Sequence, residues 1–474
     1  MVATTEELRT TPALPQRFGH PRGLTVLAGT ELWDRISFHG MQAMLVLYMT
    51  GELVKPGRME GIIGFASYRH ALENVYGPLS TMALATQTFG WYVAIMAFMP
   101  LIGGWLGDKY ISRRTGVATG ALLMTAGHFC LAFDATFLIA LLLLVTGAGM
   151  LRGNLKPQIR SLYATGDRRL AEAFQVYSFV VNFGAFIAPI VTGAVAKYYG
   201  WHAGFGVAGF GMLIGLVWYL KGSKDLPPDR KDDSATPEKR PLTRGEWRNI
   251  GGLMLLWPFS VAFWTSQAQI WNVYNVWVRD NVDMNVGGFD VPVPWLQSLD
   301  GLCPALFIPL TIWLWRRQAA RGSEPSRFTK MAVGCILFSL GTLLLAASPM
   351  FVGAGQKELL AIPIVFHLVS NLGAVYFSPV MMAIFADRAP ERLRGTMLGV
   401  DALSITVASL LSGSMGAWYE TVSPTVFWLT TAAIVGFAGI LLLLVAPLFR
   451  RIFVDQPEAH TSVEIADQAL AQPG

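Results

Sequence analysis

The chain has 474 residues, of which 53% are hydrophobic and only 14% are charged, and its mean hydropathy is +0.45. A soluble domain cannot bury this much apolar surface, so the composition excludes an ordinary soluble protein and indicates an integral membrane protein. The formal net charge of +5 reflects where lysines and arginines lie relative to the membrane, and does not indicate nucleic-acid binding.

Apolar segments of about 20 residues recur along the chain, each long enough to cross a hydrocarbon core of about 30 Å. They predict an all-α integral membrane protein with twelve transmembrane helices, numbered here as spans 1 to 12. Residues 1–20 have no apolar core or small-residue cleavage site, so we expect span 1 to be an anchor and not a removable signal peptide. The spans lie near residues 24–51, 79–107, 114–133, 136–158, 171–197, 200–221, 249–278, 294–315, 330–349, 359–386, 394–419 and 425–449.

The distribution of basic residues predicts the orientation of these spans. If both termini face the cytoplasm, 27 of the 36 lysines and arginines lie in cytoplasmic segments, 6 lie in outer loops and the other three lie within spans. The positive-inside rule therefore predicts a multi-pass protein of the cell inner membrane with both termini in the cytoplasm.

One long polar insertion divides the chain near its middle, with six spans before it and six after it. This arrangement indicates two parallel pseudo-repeats around a central cavity, the general plan of the major facilitator superfamily. We predict a cytoplasmic N-tail (1–20), an N-terminal six-helix bundle (21–221), a cytoplasmic linker (222–248), a C-terminal six-helix bundle (249–451) and a cytoplasmic C-tail (452–474).

The loop after span 2 reads GGWLGDKYISRR, residues 103–114, and resembles the signature loop between the second and third helices of that superfamily. Gly104 would permit close approach of a neighbouring helix, and Asp108, Arg113 and Arg114 would connect neighbouring helix ends. The alternative is an ordinary positive-inside loop that contains glycine by coincidence.

Span 1 carries charges that a lipid-facing helix would not tolerate, so we expect them to face protein partners or a water-filled cavity. A structural ion pair explains an arginine with one acid, but it does not readily explain two acids. The functional interpretation is that the carboxylates exchange a proton, while the arginine alternates between them and an anionic substrate group. At about 100° per residue, one face of the helix holds Glu31, Asp34, Arg35, Phe38 and Gln42, with His39 at its edge.

The segment HPRGLTVLAGTELWDRISFHGMQAMLVLYM, residues 20–49, resembles the first-helix signature of the proton-dependent oligopeptide transporters of this superfamily. The usual form is E-x-x-E-R-F-x-Y-Y-G; here Asp34 replaces the second Glu, Ile36 the Phe, and Phe38 and His39 the two Tyr. The resemblance covers nearly the whole chain, because further segments fit the family in the same order: 76–92, 153–163, 180–193, 199–216, 295–300 and 378–400.

The resemblance implies roles for individual residues. Glu31, Asp34 and Arg35 match the family's proton-coupling motif, and Lys156 of span 4 matches the lysine that communicates with it. Arg35 and Lys156 would also attract the carboxylate of a peptide, and Asn182 of span 5 would contact the peptide backbone. Considered alone, Lys156 would be explained by snorkelling and Asn182 by a bond to a neighbouring helix.

Span 7 and span 10 depart from the family pattern. The family usually has an acid beside a Gln in helix 7, whereas FWTSQAQIWN, residues 263–272, has Ala268 beside Gln269. Helix 10 usually has a Glu that holds the peptide amino group, and Ala374 occupies that place. The two acids expected in the C-terminal half are therefore missing, and with them the ordinary clamp for an ammonium group.

Acids appear instead at two places where the family usually has none. Asp300 ends the segment WLQSLD where Asn is typical, and Asp401 stands where Trp is common. We predict that Asp300 supplies from span 8 the charge that span 10 lost; the alternative is that it lies near the periplasmic mouth or stays protonated, with no substrate contact. Asp401 is a further candidate, although it lies near the cytoplasmic end of span 11.

Two N-terminal residues have alternative roles. Arg152 lies four residues before Lys156 on the same helical face, so it either enlarges an electropositive wall for a substrate with several anionic groups or neutralises Glu31 and Asp34. The simpler neutralising role is favoured. His39 either handles protons or lines the pocket as an aromatic residue in place of Tyr.

The sequence predicts a proton-coupled symporter that imports di- and tripeptides or closely related molecules by alternating access, driven by the proton gradient without a cofactor. The altered ammonium clamp leaves one alternative, a transporter of a non-peptide or modified peptide substrate that works as an importer or exporter. An enzyme is not expected, because we find no nucleophile–base pair, metal cluster or nucleotide loop. The expected partners are a small peptide-like substrate, protons and the lipid bilayer, with no nucleic acid, and a monomer is expected. Cys130, Cys303 and Cys335 lack metal-ligand spacing and are expected to be packing residues.

Overall fold

The computed structural model describes residues 16–53, 55, 57–164, 167, 169–228, 241–353 and 355–453. Most of the predicted N-tail and C-tail, and the middle of the predicted linker, lie outside these residues. Two short antiparallel hairpins pair β1 (Gln16–Arg17) with β2 (His20–Pro21) and β3 (Asn285–Val286) with β4 (Phe289–Asp290). The α-helices are α1 (Arg22–Tyr48), α2 (Phe65–Tyr76), α3 (Thr81–Lys109), α4 (Arg113–Cys130), α5 (Phe137–Ser161), α6 (Arg169–Tyr199), α7 (Trp201–Gly222), α8 (Arg244–Ala268), α9 (Val273–Asn281), α10 (Leu299–Ala319), α11 (Arg327–Ala347), α12 (Ala361–Arg388), α13 (Arg394–Trp418) and α14 (Pro424–Ile452).

The long helices correspond one by one to the twelve predicted spans; α2 is a short addition, and α9 is the second part of span 7. Among the described residues, nine helical segments are long and apolar enough to cross a membrane by length and composition alone. Helices α1, α4 and α8 have the length but fall outside that set. In α1 the reason is the polar face with Glu31, Asp34 and Arg35, which a solitary membrane helix would not tolerate.

Side-chain caps define the starts of several helices. Ser80, Ser112, Ser326 and Ser423 each accept a hydrogen bond from a backbone N–H in the first turn of α3, α4, α11 and α14. Helix α8 begins with a reciprocal capping box, in which Thr243 and Glu246 satisfy each other's backbone N–H groups. The cap starts α8 at residue 244, inside the segment that the sequence assigns to the linker.

Span 7 is not one continuous helix. It divides into α8 and α9 around residues 269–272, where Asn272 leaves helical geometry (φ −106°, ψ −100°) and the backbone N–H of Tyr274 donates to the carbonyl of Gln269 (3.0 Å). The amide nitrogens of the break donate inside the protein, since Asn272 Nδ2 lies 3.4 Å and Gln269 Nε2 lies 3.2 Å from the Ser412 carbonyl, whereas the amide oxygens of both residues have no hydrogen-bond partner among the described residues. Hydropathy misses this break because Ile270 and Trp271 keep the segment apolar.

Helices α1 and α3 to α7 form the N-terminal bundle, and α8 to α14 form the C-terminal bundle. Because every long helix reverses direction, the first and last described residues lie on one face, which we call the terminal face. The connections that contain α2, β3 and β4 lie on the other face, which we call the opposite face. This even-numbered arrangement is the one that the hydropathy pattern predicts.

The segment 103–114, which runs from the end of α3 to the start of α4, makes the contacts expected of it. A Cβ at Gly103 would lie 2.1 Å from the Gly149 carbonyl of α5, and one at Gly104 would lie 3.3 Å from the Gly153 carbonyl. Arg113 pairs with Asp108 at 2.9 Å, and Arg114 donates to the Pro227 carbonyl at 2.7 Å, so this loop links the ends of α3, α4 and α7.

The two bundles touch mainly toward the opposite face. Helix α3 packs on α13 where a Cβ at Gly90 would lie 2.7 Å from the Ser409 carbonyl and 2.9 Å from Gly413 Cα. On the same face, Ser80 contacts Glu420, Lys197 contacts the Asp290 carbonyl, and Arg279 donates to the Thr50 hydroxyl at 3.0 Å. Toward the terminal face, a Cβ at Gly399 would come no closer than 3.7 Å to its nearest neighbour, Leu101. These contacts close the molecule toward the opposite face, whereas toward the terminal face α3 packs less tightly on α13.

Candidate functional site

The charged face of α1 forms an ion-pair network inside the N-terminal bundle. Glu31 and Asp34 are completely buried. Arg35 Nε donates to Glu31 Oε1 at 2.7 Å, and Arg35 Nη2 lies 3.5 Å from Asp34 Oδ2. The predicted partners on span 1 therefore meet, and both carboxylates have a cation beside them, as their burial requires.

Arg152 of α5 completes this network. Its Nε and Nη2 atoms donate to the two oxygens of Asp34 at 3.0 and 3.2 Å, a bidentate arrangement. Its guanidinium also lies 4.3 Å from the ring centroid of Phe38. These contacts favour the neutralising role over a cation held free for the substrate.

Lys156, one turn further along α5, is in a different situation. Its side chain is exposed, although it lies beside Glu31, Arg35 and the ring of Tyr177, whose centroid is 5.7 Å from Nζ. Within the described residues, no carboxylate oxygen lies within 4 Å of Nζ. Lys156 is thus a cation on the inner side of the bundle that is exposed and not neutralised by an ion pair.

Two other predicted residues lie near this wall. The His39 ring is half-buried, its centroid is 5.4 Å from that of Trp271 in the break after α8, and its Nδ1 has no hydrogen-bond partner among the described residues. The Asn182 side chain on α6 is half-buried and donates to the Ser178 carbonyl at 2.9 Å. His39 therefore lies between the bundles, and Asn182 keeps its amide oxygen available.

Gln269 is placed differently from the sequence expectation of a cavity-lining residue. It is completely buried, and its amide donates to the Ser412 carbonyl of α13 at 3.2 Å. Its role in this conformation is to hold the break between α8 and α9 against α13. The neighbouring Ala268 is half-buried and supplies no charge.

Asp300, at the start of α10, is brought to two residues of α12 that the sequence reasoning did not select. Asp300 Oδ1 lies 2.9 Å from His367 Nδ1 and accepts from Asn371 Nδ2 at 2.7 Å. His367 and Asn371 precede Ala374 by seven and three residues, so all three share one helical face. That spacing, around the position where the family usually has Glu, is the sequence signal that would have found them.

Asp401 belongs to neither cluster. It lies two turns into α13, where the Ser260 hydroxyl donates to Oδ1 at 3.3 Å and Ser404 donates to its backbone carbonyl at 2.5 Å. The side chain is half-buried. Its contacts hold α13 against α8, on the terminal side of the other candidate residues.

The geometry therefore resolves two polar centres on opposite walls of the space between the bundles. The N-terminal centre has two buried acids, two paired arginines and an unneutralised lysine, so it can exchange a proton and attract an anion. The C-terminal centre has one buried acid with a histidine and an amide. In the described part of the chain, no group of three or more His, Cys, Asp or Glu side chains has the arrangement of a metal site.

Comparisons with known proteins give a consistent result. A family model described as Major Facilitator Superfamily matches residues 60–412. A transporter of Bacillus subtilis named as uncharacterized is 26% identical, over 93% of this chain and 96% of its own length. A peptide transporter of Yersinia enterocolitica is 25% identical, over 93% and 97%, and a di-/tripeptide transporter of Lactococcus lactis is 23% identical, over 90% and 95%.

Solved structures show the same similarity in three dimensions. The crystal structure of a peptide transporter POT in complex with sulfate has a TM-score of 0.80 and 25% identity, covering 93% of this chain and 98% of that one. A mutant of a peptide transporter POT in complex with alafosfalin gives the same values. The predicted resemblance to the proton-dependent oligopeptide transporters and the predicted twelve-helix fold are both confirmed.

Proposed function

The chain belongs to the major facilitator superfamily, and from that premise we propose that it is a proton-coupled symporter that imports di- and tripeptides or closely related small molecules. The observation that carries the proposal is the N-terminal centre, in which two buried carboxylates pair with arginines while Lys156 remains exposed and unpaired. Relatives of nearly equal length named as peptide transporters support the substrate class.

The proton step begins at the α1 carboxylates. Protonation of Glu31 removes the charge that holds Arg35 at 2.7 Å, so the guanidinium becomes available to an anion. Asp34 keeps its bidentate partner Arg152, which leaves Glu31 as the acid whose protonation releases a cation. Loss of the proton restores the Glu31–Arg35 pair and expels the anion from Arg35.

The substrate carboxylate binds between the released Arg35 and Lys156. Lys156 is ready in this conformation because no carboxylate neutralises it, and charge-assisted hydrogen bonds to a carboxylate are the strong ones. Phe38, His39 and Asn182 lie around this position and would contact the remainder of a small peptide. Complexes of solved relatives with sulfate and alafosfalin are compatible with an anion-attracting site.

The amino group of the substrate would face the C-terminal bundle, where Asp300 accepts a hydrogen bond from Asn371, one turn before Ala374 on α12. Its second carboxylate oxygen has no hydrogen-bond partner among the described residues. A free peptide has both termini charged, so a cation on one wall and an anion on the other fit it. This complementarity is the reason to prefer peptides over substrates with a single charge.

Transport would follow from rocking of the two bundles. With the terminal face in the cytoplasm, as the positive-inside rule predicts, this conformation is closed on the outer side. A ligand moves the equilibrium only through different affinities for the two states, and the Glu31–Arg35 pair supplies that difference for protons. We place the protein in the cell inner membrane as a monomer with both termini in the cytoplasm.

A second candidate has its own observation in favour. Helix α12 carries Ala374 and α8 carries Ala268 where acids are usual in the family, so the ammonium clamp depends on Asp300 alone. A carrier for a modified or non-peptide substrate, working as importer or exporter, would not need further acids to hold an ammonium group.

Uptake into proteoliposomes under an imposed proton gradient distinguishes the two candidates. A radiolabelled dipeptide should accumulate when the outside is acidic, and unlabelled di- and tripeptides should compete while free amino acids should not. Gradient-driven transport that dipeptides fail to inhibit would favour the second candidate. No gradient-dependent uptake of any dipeptide would overturn the proposed function.

A further inference from the structure

The buried pair formed by Asp300 of α10 and His367 of α12 has no lysine or arginine beside it among the described residues. Asp300 Oδ1 lies 2.9 Å from His367 Nδ1, the aspartate side chain is 8% exposed and the histidine is fully buried. In the described part of the chain, Asp300 Oδ2 and His367 Nε2 have no hydrogen-bond partner. Nor does any lysine or arginine nitrogen described here lie within 4 Å of Asp300. A proton or the ammonium group of a substrate can therefore neutralise this aspartate, and in the absence of substrate only a proton can.

The groups around the pair do not supply a charge of their own. The Asn371 amide donates to Asp300 at 2.7 Å and to the His367 carbonyl at 2.9 Å, and it is neutral. The other titratable groups that face the pair are Tyr274 of α9, whose ring meets His367 edge-on at 5.1 Å, and Cys303 of α10. With both in their neutral forms, the net charge is −1 without the extra proton and zero with it.

The pair lies beside the contact between the bundles. Gly301, the next residue after Asp300, packs on α6 so closely that a Cβ there would lie 2.4 Å from Phe186 N and 2.7 Å from the Asn182 carbonyl. The glycine allows the backbones of α6 and α10 to touch, and this contact covers the start of α10. Opening toward the opposite face must separate this contact and admit water to Asp300.

We propose that Asp300 and His367 form a second proton-binding site, whose proton stabilises closure of the molecule toward the opposite face. A net negative charge is costly while the contact of Gly301 with α6 keeps the start of α10 closed, and it costs much less when water reaches it. The proton therefore binds more tightly in the closed state, which shifts the population toward that state. The inference rests on the proposed alternating access, but not on the identity of the substrate.

The distance between the bundles on the opposite face tests this site without any substrate. Spin labels at Tyr199→Cys at the end of α6 and Met350→Cys after α11, both highly exposed, report that distance by double electron–electron resonance in nanodiscs. Cys130, the half-buried cysteine, is replaced by alanine, whereas Cys303 and Cys335 are buried. In the parent chain, the short distance should dominate at acidic pH and the long one should grow at alkaline pH.

Asp300→Asn, which removes the charge, should keep the short distance at alkaline pH and raise the ratio of closed to open molecules about tenfold. His367→Gln deprives Asp300 of its proton-sharing partner, so it should shift the population toward the long distance at the same pH. The matched control is His128→Gln, because His128 is also a buried membrane histidine but has no carboxylate within 4 Å among the described residues.

Each variant tests the proposal by itself. If one of them fails to fold, the other still gives a result. If Asp300→Asn and His367→Gln lower thermal stability but follow the parent pH curve, the pair is structural and the proposal is overturned. If the pH response changes as expected while no peptide is transported, the second proton site stands and the proposed substrate fails.

Discussion

Arg152 and Lys156 lie one turn apart on α5, yet the structure predicts opposite consequences for their removal. Arg152→Leu leaves Asp34 completely buried, with Arg35 at 3.5 Å as its nearest remaining cation. It removes two hydrogen bonds of 3.0 and 3.2 Å and the contact with Phe38. Breaking a buried pair from one side costs about 3–5 kcal/mol, and we expect a loss of this size in the free energy of unfolding.

Lys156→Gln should leave stability nearly unchanged, because the exposed amine has no ion pair in the described structure to lose. It should instead weaken binding of the substrate carboxylate. A hydrogen bond to a charged group contributes about 1.5–3 kcal/mol, which corresponds to a rise in KM of about 10- to 150-fold. The expected pattern is a stability defect at one residue and a binding defect at the other.

Chemical denaturation in detergent micelles and dipeptide uptake in proteoliposomes measure the two effects. The control for stability is Lys55→Ala, since Lys55 is 54% exposed and its pair with Glu52 is expected to contribute no more than about 1 kcal/mol. The double variant Asp34→Asn with Arg152→Leu should recover part of the lost stability, because no unpaired charge remains. Equal stability loss in Arg152→Leu and Lys156→Gln would refute the distinction between the two cations.

Two further variants test the outer contact and a loop carboxylate. Gly90→Val places side-chain atoms against Ser409 and Gly413 and should abolish gradient-driven uptake. The control is Gly206→Val, because Gly206 is a helix glycine with open space around it, and this variant should keep its uptake. Equal uptake by the two variants would contradict this prediction. Burial raises the pKa of Glu358, so the fold favours its neutral form, and stability from this group is lost as pH rises through the raised pKa. Glu358→Gln should therefore raise the melting temperature above that pKa and leave it unchanged at acidic pH, and an equal change at both pH values would argue against a titration effect.

The fold could be predicted from the sequence because hydropathy, helix length and basic-residue distribution depend on local composition. Twelve long helices match the twelve spans, and the ends differ by a few residues where caps such as Thr243 decide the start. The break between α8 and α9 could not be predicted, since the apolar residues Ile270 and Trp271 conceal a turn that tertiary contacts with Ser412 stabilise.

The N-terminal centre was accessible from sequence because Glu31, Asp34 and Arg35 lie on one helix, where periodicity alone brings them together. The partner of Asp34 depended on tertiary geometry, which favours Arg152 over the lysine one turn away. The Asp300–His367 pair joins two helices 67 residues apart in sequence, and no local pattern connects them. Gln269 differs from its predicted position for the same reason. The sequence suggests contact with substrate, whereas its amide donates to the Ser412 carbonyl and the side chain stays buried.

If peptide and proton move together, peptide entry must change the pH inside proteoliposomes, and this pH can be measured. Vesicles containing the full chain and a trapped pH-sensitive dye are prepared with no initial gradient, with their membrane potential clamped, and a dipeptide is then added outside. We expect rapid acidification of the lumen, which Lys156→Gln reduces at the same peptide concentration. Dipeptide entry without a change in luminal pH, or no response to any dipeptide, would contradict it.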